Sequence, residues 1–425
     1  MKKPLAFSML VVLGCIAFNT LSLAQGPVTN GHWVSVWGIA DYTPFKFIPL
    51  PAEPDLSNVT IRMNVRSSIG GHRLRIRLSN EYGTAPMMIG AAHLALAGAG
   101  SKIEPGTDRT LTFGGSANVI IPAGAPIISD PVELPVKPLT EISISIYLPK
   151  SAPVSTFHRS SNRDTYVAGP GDQTSQTELA DAKAKSAWYF LSSVDMWEPN
   201  ATTATVALGD SITEGSNTRI AYADYPDQLA ERLAKGKNDP SIAVINEGIA
   251  GNRILHNAAG DSALTRFDKD VLSHPGVSNL IVLEGINDIG FPRSKMGNMP
   301  KNPNFNPPDF ASELVSADEI IAGLKQIIVR AHEHGIKVLG ATMMPFQGSP
   351  AYDADGEAIR QAVNKWIRAA NAFDHVIDFD AVVRDPDHPV RLRSGFDSGD
   401  HIHPNPAGYK AMADSIKVSE LKGTM

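Results

Sequence analysis

The chain has 425 residues, of which 43% are hydrophobic and 19% are charged, and its mean hydropathy is -0.10. These values are typical of a folded protein with room for two domains that have separate cores. The formal net charge of -6 argues against a surface that binds nucleic acid or an anionic membrane, so we expect neither partner.

The first 24 residues are typical of an export signal. Lys2 and Lys3 supply positive charge, and residues 4–18 are nearly all apolar. Residues 22–24 (Ser-Leu-Ala) offer small side chains at the positions that a signal peptidase reads. We expect cleavage after Ala24 and a secreted or periplasmic protein. The apolar run is short for a membrane span, and no later segment approaches span length.

The chain has one cysteine, Cys15, and it lies inside the predicted signal. The mature chain would then have no thiol, so its stability must come from packed cores and not from disulfides. Residues 12–15 (Val-Leu-Gly-Cys) faintly resemble a lipoprotein box. Because residues 16–18 stay apolar where a lipoprotein usually becomes polar, lipid anchoring through Cys15 is the less favoured alternative.

Residues 25–194 predict a β-domain. Three segments alternate apolar and polar residues, as antiparallel strands with one buried face do: Val59–Val65, Leu74–Leu78 and Glu141–Ile146. Turns rich in Gly and Pro separate the strands, and no long amphipathic helix is evident. This pattern favours a β-sandwich of jelly-roll type. Arg62, Arg75 and Arg77 fall on polar positions, where solvated side chains are a simpler interpretation than a binding face.

Residues 195–203 are expected to form a polar connector, and residues 204–425 a second domain of alternating strands and helices. The predicted strands are Thr205–Leu208, Ile242–Asn246, Asn279–Glu284, Lys337–Thr342 and His375–Phe379. The predicted helices are Asp224–Ala234, Ala263–Ser273, Ala317–His334 and Glu357–Asn371, with a last helix from Pro406. Strands rich in β-branched residues and separated by helices imply a parallel sheet with right-handed crossovers.

One long segment, Gly290–Ser316, is rich in Pro and Asn and fits neither periodicity. A loop of this length inside a compact domain is usually functional or mobile. Phe291, Phe305 and Phe310 either wall a pocket or pack the loop onto the domain, and the sequence leaves both interpretations open.

Ser211 stands between a predicted strand and a predicted helix, where open α/β sheets place their chemistry. Gly209 and Gly215 bracket it, so the backbone can turn sharply and expose the hydroxyl. A Gly-Asp-Ser triplet alone is a weak signal, because one can arise by chance in a chain this long.

Asp400 precedes His403 by three residues and can reach its imidazole within one turn, where it would fix the tautomer. With Ser211, this completes a nucleophile, a base and an orienting group. A turn or a capped helix start is the structural alternative for this pattern. A metal site is disfavoured, because the other histidine pair, His332 and His334, would point to different sides of a helix. We expect no metal and no organic cofactor.

Acyl transfer also needs hydrogen-bond donors aimed at the developing oxyanion. Residues 246–252 (Asn-Glu-Gly-Ile-Ala-Gly-Asn) follow the second predicted strand, and a glycine there lets a backbone N–H approach a substrate. Residues 285–288 (Gly-Ile-Asn-Asp) follow the third, and Asn287 carries an amide donor. Each loop taken alone is more often a simple turn.

Together these blocks resemble the SGNH/GDSL hydrolases, whose four motifs occur here in order: Gly209-Asp210-Ser211, the Gly251 loop, Gly285-x-Asn287-Asp288 and Asp400-x-x-His403-Pro404. The resemblance covers roughly residues 203–425 and implies a flavodoxin-like sheet of five parallel strands. It also implies roles for particular residues: Ser211 as nucleophile, His403 as general base, Asp400 as its orienting group, and an oxyanion hole from the Ser211 N–H, the Gly251 N–H and the Asn287 amide.

Two of these positions have competitors. Gly248 competes with Gly251, which is preferred because it matches the family's spacing from Asn246. His401 competes with His403, and the proline that follows favours His403. The N-terminal half also resembles, more loosely, the β-domain of some secreted bacterial members of this family.

The resemblance implies a secreted serine esterase that works through an acyl-enzyme. An exported enzyme with a β-domain suggests removal of short acyl (acetyl) groups from a polysaccharide. Hydrolysis of a short-chain lipid or a lysophospholipid is the alternative. A non-catalytic glycan-binding protein on a hydrolase scaffold is a hypothesis from another class, and it is disfavoured because no member of the triad is missing.

Overall fold

The computed structural model describes residues 30–44, 56–159, 162–198, 202–236, 241–294, 309–369 and 371–422. The predicted export signal, Cys15 and Phe305 lie outside these ranges. Within the ranges, no helix combines the length and the apolar character needed to cross a membrane.

The N-terminal half is built from strands that pair antiparallel. Their bounds are β1 His32–Gly38, β2 Val59–Arg66, β3 Gly71–Ser79, β4 Met87–Ile89, β5 Ala91–Leu96, β6 Arg109–Thr110, β7 Val119–Ile121, β8 Pro126–Ile128, β9 Val132–Val136, β10 Glu141–Leu148, β11 Phe157–Arg159, β12 Thr165–Ala168, β13 Lys183–Lys185, β14 Ala187–Tyr189 and β15 Leu191–Glu198. The predicted β-domain is confirmed, and the three alternating segments fall in β2, β3 and β10.

Two larger sheets make up most of this β-domain. One has the order β1-β15-β3-β8, with β9 also paired to β3, and the other has the order β13-β12-β2-β10-β5-β6. Two short sheets, β4-β7 and β11-β14, complete the described pairings. Strand β15 continues to Glu198, so the first four residues of the predicted connector belong to a strand.

The expectation that Arg62 is solvated is wrong. Its side chain is buried on β2, and its guanidinium donates hydrogen bonds to four oxygens: Ser145 Oγ and the carbonyls of Ser101, Thr174 and Gln176. Alternation of apolar and polar residues separates the two faces of a strand, but it does not tell whether loops cover the polar face. Here they do, and the buried charge is fully hydrogen-bonded, as burial requires.

Arg75 and Arg77 are also engaged and not simply solvated. Arg75 Nε lies 2.9 Å from Oδ2 of the buried Asp195. Arg77 donates to the carbonyl oxygen of Ser273, which belongs to the second half of the chain. Arg75 therefore pairs across the strands of its own sheet, and Arg77 contacts the second half of the chain.

The C-terminal half contains a parallel sheet of five strands in the order β17-β16-β18-β19-β20. The strands are β16 Thr203–Gly209, β17 Ile242–Gly248, β18 Val277–Leu283, β19 Lys337–Ala341 and β20 His375–Ile377. The helices are α1 Ser211–Glu214, α2 Tyr225–Lys235, α3 Ala263–Phe267, α4 Ile286–Arg293, α5 Ala317–Glu333, α6 Ala354–Ala369, α7 Phe379–Val383, α8 Pro406–Ser415 and α9 Val418–Leu421. The predicted sheet of five parallel strands is confirmed.

Several helix starts are encoded by capping side chains. The Asp224 carboxylate accepts the N–H of Asp227 at the start of α2. Ser316 and Glu319 form a capping box at α5. Asn405 accepts two backbone N–H groups at the start of α8. Such caps satisfy N–H groups that the helix itself leaves unpaired.

The segment predicted to be irregular begins as a helix, because α4 extends to Arg293. The hydrophobic periodicity of α4 is weak, since residues 286–290 and 292 are buried without regard to a helical face. A pattern search finds amphipathic helices best, and it overlooks one that is buried on most sides. A 3₁₀ turn, Phe310–Ser312, lies near the end of the same segment.

The β-domain packs directly on the parallel sheet, with β1 against β17. One continuous cluster of buried apolar side chains includes residues of both halves, such as Val34 and Ile245. Polar contacts accompany it, since the Ser35 N–H donates to the Pro275 carbonyl and the Val244 N–H donates to Ser68 Oγ. The two halves thus share a core.

Candidate active site

Ser211 is the first residue of α1 and follows directly on the turn that ends β16. The Asp210 carboxylate accepts the N–H of Ile212 at 2.9 Å and caps this short helix. The helix ends at Gly215, whose φ of +95° is a left-handed conformation that glycine adopts without strain. The Ser211 hydroxyl is therefore held at a helix N-terminus, at the carboxyl edge of the sheet.

Ser211, His403 and Asp400 are in contact. His403 Nε2 lies 2.7 Å from Ser211 Oγ, and His403 Nδ1 lies 2.6 Å from Asp400 Oδ2. An ionised carboxylate only accepts hydrogen bonds, so Nδ1 carries the proton and Nε2 offers its lone pair to the serine hydroxyl. This arrangement suits removal of the hydroxyl proton by the imidazole.

The Asp400 carboxylate is held by several donors. Its Oδ1 accepts the N–H groups of His403 and Ile402 at 2.9 and 3.1 Å, and the Ser398 hydroxyl at 3.1 Å. Partial burial opposes ionisation, but the His403 side chain and these N–H groups outweigh it and hold the pKa of Asp400 well below its usual range. The group beside the imidazole is therefore a full negative charge.

Asn217 joins this cluster and was missed by sequence reasoning. Its Nδ2 donates to Asp400 Oδ2 at 2.6 Å, the same oxygen that His403 contacts. Asn217 has a φ of +64°, which asparagine tolerates better than most residues. It lies three residues beyond α1 and belongs to no motif, so only the folded loop reveals the contact.

The competing histidine, His401, lies elsewhere. Its Nδ1 is 2.6 Å from Asp397 Oδ2, and its side chain is 52% exposed. The structure thus brings His403, and not His401, to Ser211. The result is a second His–Asp pair beside the first.

The two glycines after β17 have different surroundings. Gly248 donates its N–H to Asn246 Oδ1 at 3.0 Å, and a Cβ on it would lie 2.1 Å from the Glu214 backbone nitrogen. Gly248 is thus needed for the close approach of β17 to α1. Gly251 adopts a φ of +80° in the loop beyond, where its N–H is the better candidate to face a substrate.

Asn287 and Asp288 connect α4 to the loop that carries Gly251. Asn287 Nδ2 donates to the Asn252 carbonyl at 3.0 Å, which leaves its second amide hydrogen for another acceptor. The Asp288 carboxylate accepts the N–H groups of Ile254 and Leu255 at 2.8 and 3.0 Å. Burial raises the pKa of Asp288 to about 6, although these bonds lower it in part. Both side chains fix the loop, and the motif alone did not indicate this.

Arg266 is a second residue that sequence reasoning missed. It is buried under the site and donates to four acceptors: the carbonyls of Gly209 and Glu247, Asn252 Oδ1 and Asp270 Oδ2, at 2.7 to 2.9 Å. It therefore joins the ends of β16 and β17 to the Gly251 loop. Its sequence context, a helical pattern, offers no signal for this position.

Metal-ligating side chains do not cluster at this site. Across the described ranges, no group of three or more His, Cys, Asp or Glu residues is placed to hold a metal ion. His332, considered above, has its Nε2 2.8 Å from Asp374 Oδ2.

Comparison with known proteins finds a matching family profile. Residues 207–411 match the profile of the family described as GDSL-like Lipase/Acylhydrolase. No match to a curated protein is found. Among the solved structures that resemble this chain is a GDSL-like lipase from Bacteroides thetaiotaomicron, with 20% sequence identity and a TM-score of 0.37; the match covers 52% of this chain and 88% of that chain. Another is an acetylxylan esterase from Geobacillus stearothermophilus, with 19% sequence identity and a TM-score of 0.38; the match covers 52% of this chain and 95% of that chain.

The two His–Asp pairs allow a matched test. We expect His403→Gln to lower kcat for a small aryl ester by roughly 10³-fold or more, because the hydroxyl loses its proton acceptor. His401→Gln should stay within about 3-fold of wild type, since that side chain does not contact Ser211. Steady-state kinetics of both variants gives the comparison. Equal losses in the two variants would be incompatible with His403 as the base.

Proposed function

We propose that this carboxylic ester hydrolase, whose residues 207–411 constitute a GDSL-like lipase/acylhydrolase domain, works through an acyl intermediate on Ser211. The contact of 2.7 Å between Ser211 Oγ and His403 Nε2 supports this assignment. Oγ would bond to the ester carbonyl carbon while His403 takes its proton. The imidazolium then gives that proton to the leaving alkoxide as the C–O bond breaks. Water activated by His403 hydrolyses the acyl-serine in the same way.

Three donors are proposed for the oxyanion: the N–H of Ser211, the N–H of Gly251 and the free amide hydrogen of Asn287. The Ser211 N–H belongs to the first turn of α1, whose N–H groups have no backbone partner within the helix. Donors that are already held in place stabilise charge in the transition state at no reorganisation cost.

The surroundings of His403 support a polar alcohol, and this observation carries the substrate proposal. His403 protonates the leaving alkoxide, so the alcohol part of the ester lies on its side of the site. The side chains that contact His403 or Asp400 there are polar, namely Asn217 and Ser398. A hydroxylated alcohol such as a sugar residue finds hydrogen-bond partners there, and this favours an acylated polysaccharide or oligosaccharide as the substrate.

The surroundings of Gly251 support a short acyl group. A Cβ placed on Gly251 would lie 3.0 Å from Phe291 Cζ, so this half-buried ring borders the proposed oxyanion hole. Phe310 packs behind it edge-on, with ring centroids 5.2 Å apart, and is fully buried. Of the phenylalanines considered from the sequence, Phe310 thus belongs to the packing and Phe291 to the edge of the site. An acetyl group needs the least space beside it.

An exposed apolar side chain favours the second candidate, a short-chain lipid or lysophospholipid ester. Ile220 is 58% exposed and lies three residues after Asn217, in the loop that follows α1. An apolar alcohol or an acyl chain would find a contact there that a sugar would not use. The substrate assay below distinguishes the two candidates.

Export remains part of the proposal. The charged and apolar composition of residues 1–24 supports it, and the mature chain would begin at Gln25. N-terminal sequencing of the protein recovered outside the cytoplasm checks this. A retained Met1 in that fraction would contradict it.

The assignment of Ser211 is tested with Ser211→Ala on a panel of esters. We expect the variant to lose activity by roughly 10⁴-fold or more while it keeps its thermal unfolding midpoint, because only one hydroxyl is removed. Wild type should release acetate from acetylated xylan faster than fatty acid from a lysophospholipid. The reverse order would favour the lipid candidate. Activity of Ser211→Ala equal to wild type, or glycan binding without any turnover, would contradict the mechanism.

The acyl-length proposal is tested with Phe291→Ala. Removing the ring opens space beside Gly251, and each methylene buried there contributes about 0.8 kcal/mol. We expect the ratio of kcat/KM for a p-nitrophenyl hexanoate to that for the acetate to rise roughly 10-fold. Phe373→Ala serves as the control, since Phe373 packs on Trp366 and Gly340 away from this edge. If Phe291→Ala leaves the hexanoate-to-acetate ratio of kcat/KM unchanged, Phe291 does not border the acyl group.

A further inference from the structure

We infer that His158 of the β-domain is a positioning residue for ester hydrolysis, because it holds Glu214 and through it both the helix of Ser211 and the loop of Gly251. The inference rests on the proposed function of this site. It gives the β-domain a role in the reaction that does not depend on binding substrate.

His158 is fixed in orientation by the β-domain. It lies on β11, is fully buried, and its Nδ1 is 2.8 Å from the carbonyl oxygen of Ala40. Its ring packs against Tyr42 and Trp188, with centroids 5.1 and 6.0 Å away. Since a carbonyl only accepts, Nδ1 carries a hydrogen, and the ring directs Nε2 out of the β-domain.

Nε2 of His158 meets the parallel-sheet domain at Glu214, 3.3 Å from Oε1. Glu214 is the last residue of α1, three positions after Ser211, and its side chain is only 3% exposed. The same Oε1 accepts the N–H of Ala250 at 3.1 Å, and Oε2 accepts the Ser216 hydroxyl at 3.1 Å. Ala250 directly precedes Gly251. One buried carboxylate therefore ties the nucleophile helix to the loop of the proposed oxyanion donor.

The contact between the two groups is buried and close, but it is not an aligned hydrogen bond, because Nε2 has no hydrogen-bond partner among the described residues. The separation of 3.3 Å still places the imidazole directly against the Glu214 carboxylate. Deleting the imidazole would leave this buried carboxylate without the polar atom that faces it from the β-domain, and such a loss is costly for a buried charge.

A second contact from the β-domain reaches the other end of the same loop. The Tyr82 hydroxyl donates to Asp261 Oδ2 at 2.7 Å. The Asp261 carbonyl accepts the Asn252 side-chain amide at 2.8 Å. The Asn252 carbonyl in turn accepts the Asn287 amide. The β-domain thus holds both ends of the segment that carries Gly251.

The experiment compares two substitutions of His158 with a control in the full-length protein. His158→Leu removes the polar atom that faces Glu214, whereas His158→Gln keeps a polar group of similar reach. His93→Leu is the control, because His93 forms a similar pair with Asp108, at 2.9 Å, within the β-domain. For each variant we measure kcat and KM for p-nitrophenyl acetate, the rate of covalent inactivation by paraoxon, and the thermal unfolding midpoint.

We expect His158→Leu to lower kcat by about 10- to 100-fold with KM within about 2-fold, because misplaced donors affect the transition state more than substrate binding. The paraoxon rate should fall in parallel, since it reports the alignment of Ser211 and the oxyanion donors without a bound alcohol. His158→Gln should recover to within about 3-fold of wild type, and His93→Leu should match wild type in kcat.

A folded His158→Leu with kcat within 2-fold of wild type overturns the inference, as does an equal loss of kcat in His93→Leu. If His158→Leu does not fold, Glu214→Gln decides. A folded Glu214→Gln with kcat within 2-fold of wild type overturns the inference, and a loss of 10-fold or more with KM within about 2-fold supports it. A failure of the proposed function can be distinguished from a failure of this inference, because it would appear as unchanged ester hydrolysis by Ser211→Ala.

Discussion

The guanidinium of Arg266 lies where the carboxyl ends of β16 and β17 meet, and it donates to the last carbonyl groups that these strands present, those of Gly209 and Glu247. At the carboxyl edge of an open parallel sheet the strands part and leave a crevice, and there the Gly209 carbonyl also accepts the N–H of Ile249 at 3.0 Å. A buried carbonyl without a donor costs about 1–3 kcal/mol. Arg266 satisfies both carbonyls and also holds the Asn252 side chain, so the turn of Ser211 and the loop of Gly251 start from fixed positions.

The same region buries several carboxyl groups, and their protonation matters for the chemistry. Burial raises the pKa of Asp210 to about 7 and holds that of Glu284 well above its usual range. A raised pKa reduces the negative charge that a carboxyl group carries near neutral pH, so less of it would oppose an oxyanion in the proposed hole. The pKa of Asp400 is shifted in the opposite direction, because its hydrogen bonds lower it and keep the carboxylate ionised beside the imidazole. Under the proposed mechanism, the fold thus separates negative charge that would oppose the reaction from the charge that would stabilise an imidazolium.

The sequence predicted those parts of the structure that local patterns encode. Each strand of the parallel sheet is an apolar run, and each site motif follows a strand or starts the last loop, so the place of Ser211 and Asn287 could be derived. Arg266 and His158 could not, because their roles depend on contacts with elements that are distant in the chain. Arg62 was assigned to solvent for a related reason, since alternation along β2 says nothing about the loops that cover its polar face.

The interface between the β-domain and the parallel sheet is continuous with the floor of the site. His274 Nε2 lies 2.8 Å from Glu247 Oε1, and its Nδ1 lies 3.1 Å from Ser35 Oγ on β1. Burial opposes the charged imidazole, but the Glu247 carboxylate outweighs it and holds the pKa of His274 above its ordinary value.

The Glu247 backbone carbonyl is one of the acceptors of Arg266, so a hydrogen-bonded path runs from β1 to the ends of the strands beneath Ser211. A β-domain joined only by a flexible linker would not restrain the conformation of the Gly251 loop. Here the loop is bounded by Arg266 below and by β-domain side chains at its side. The β-domain therefore acts as part of the scaffold that holds the site, and its separation would expose shared apolar core and a buried ion pair together.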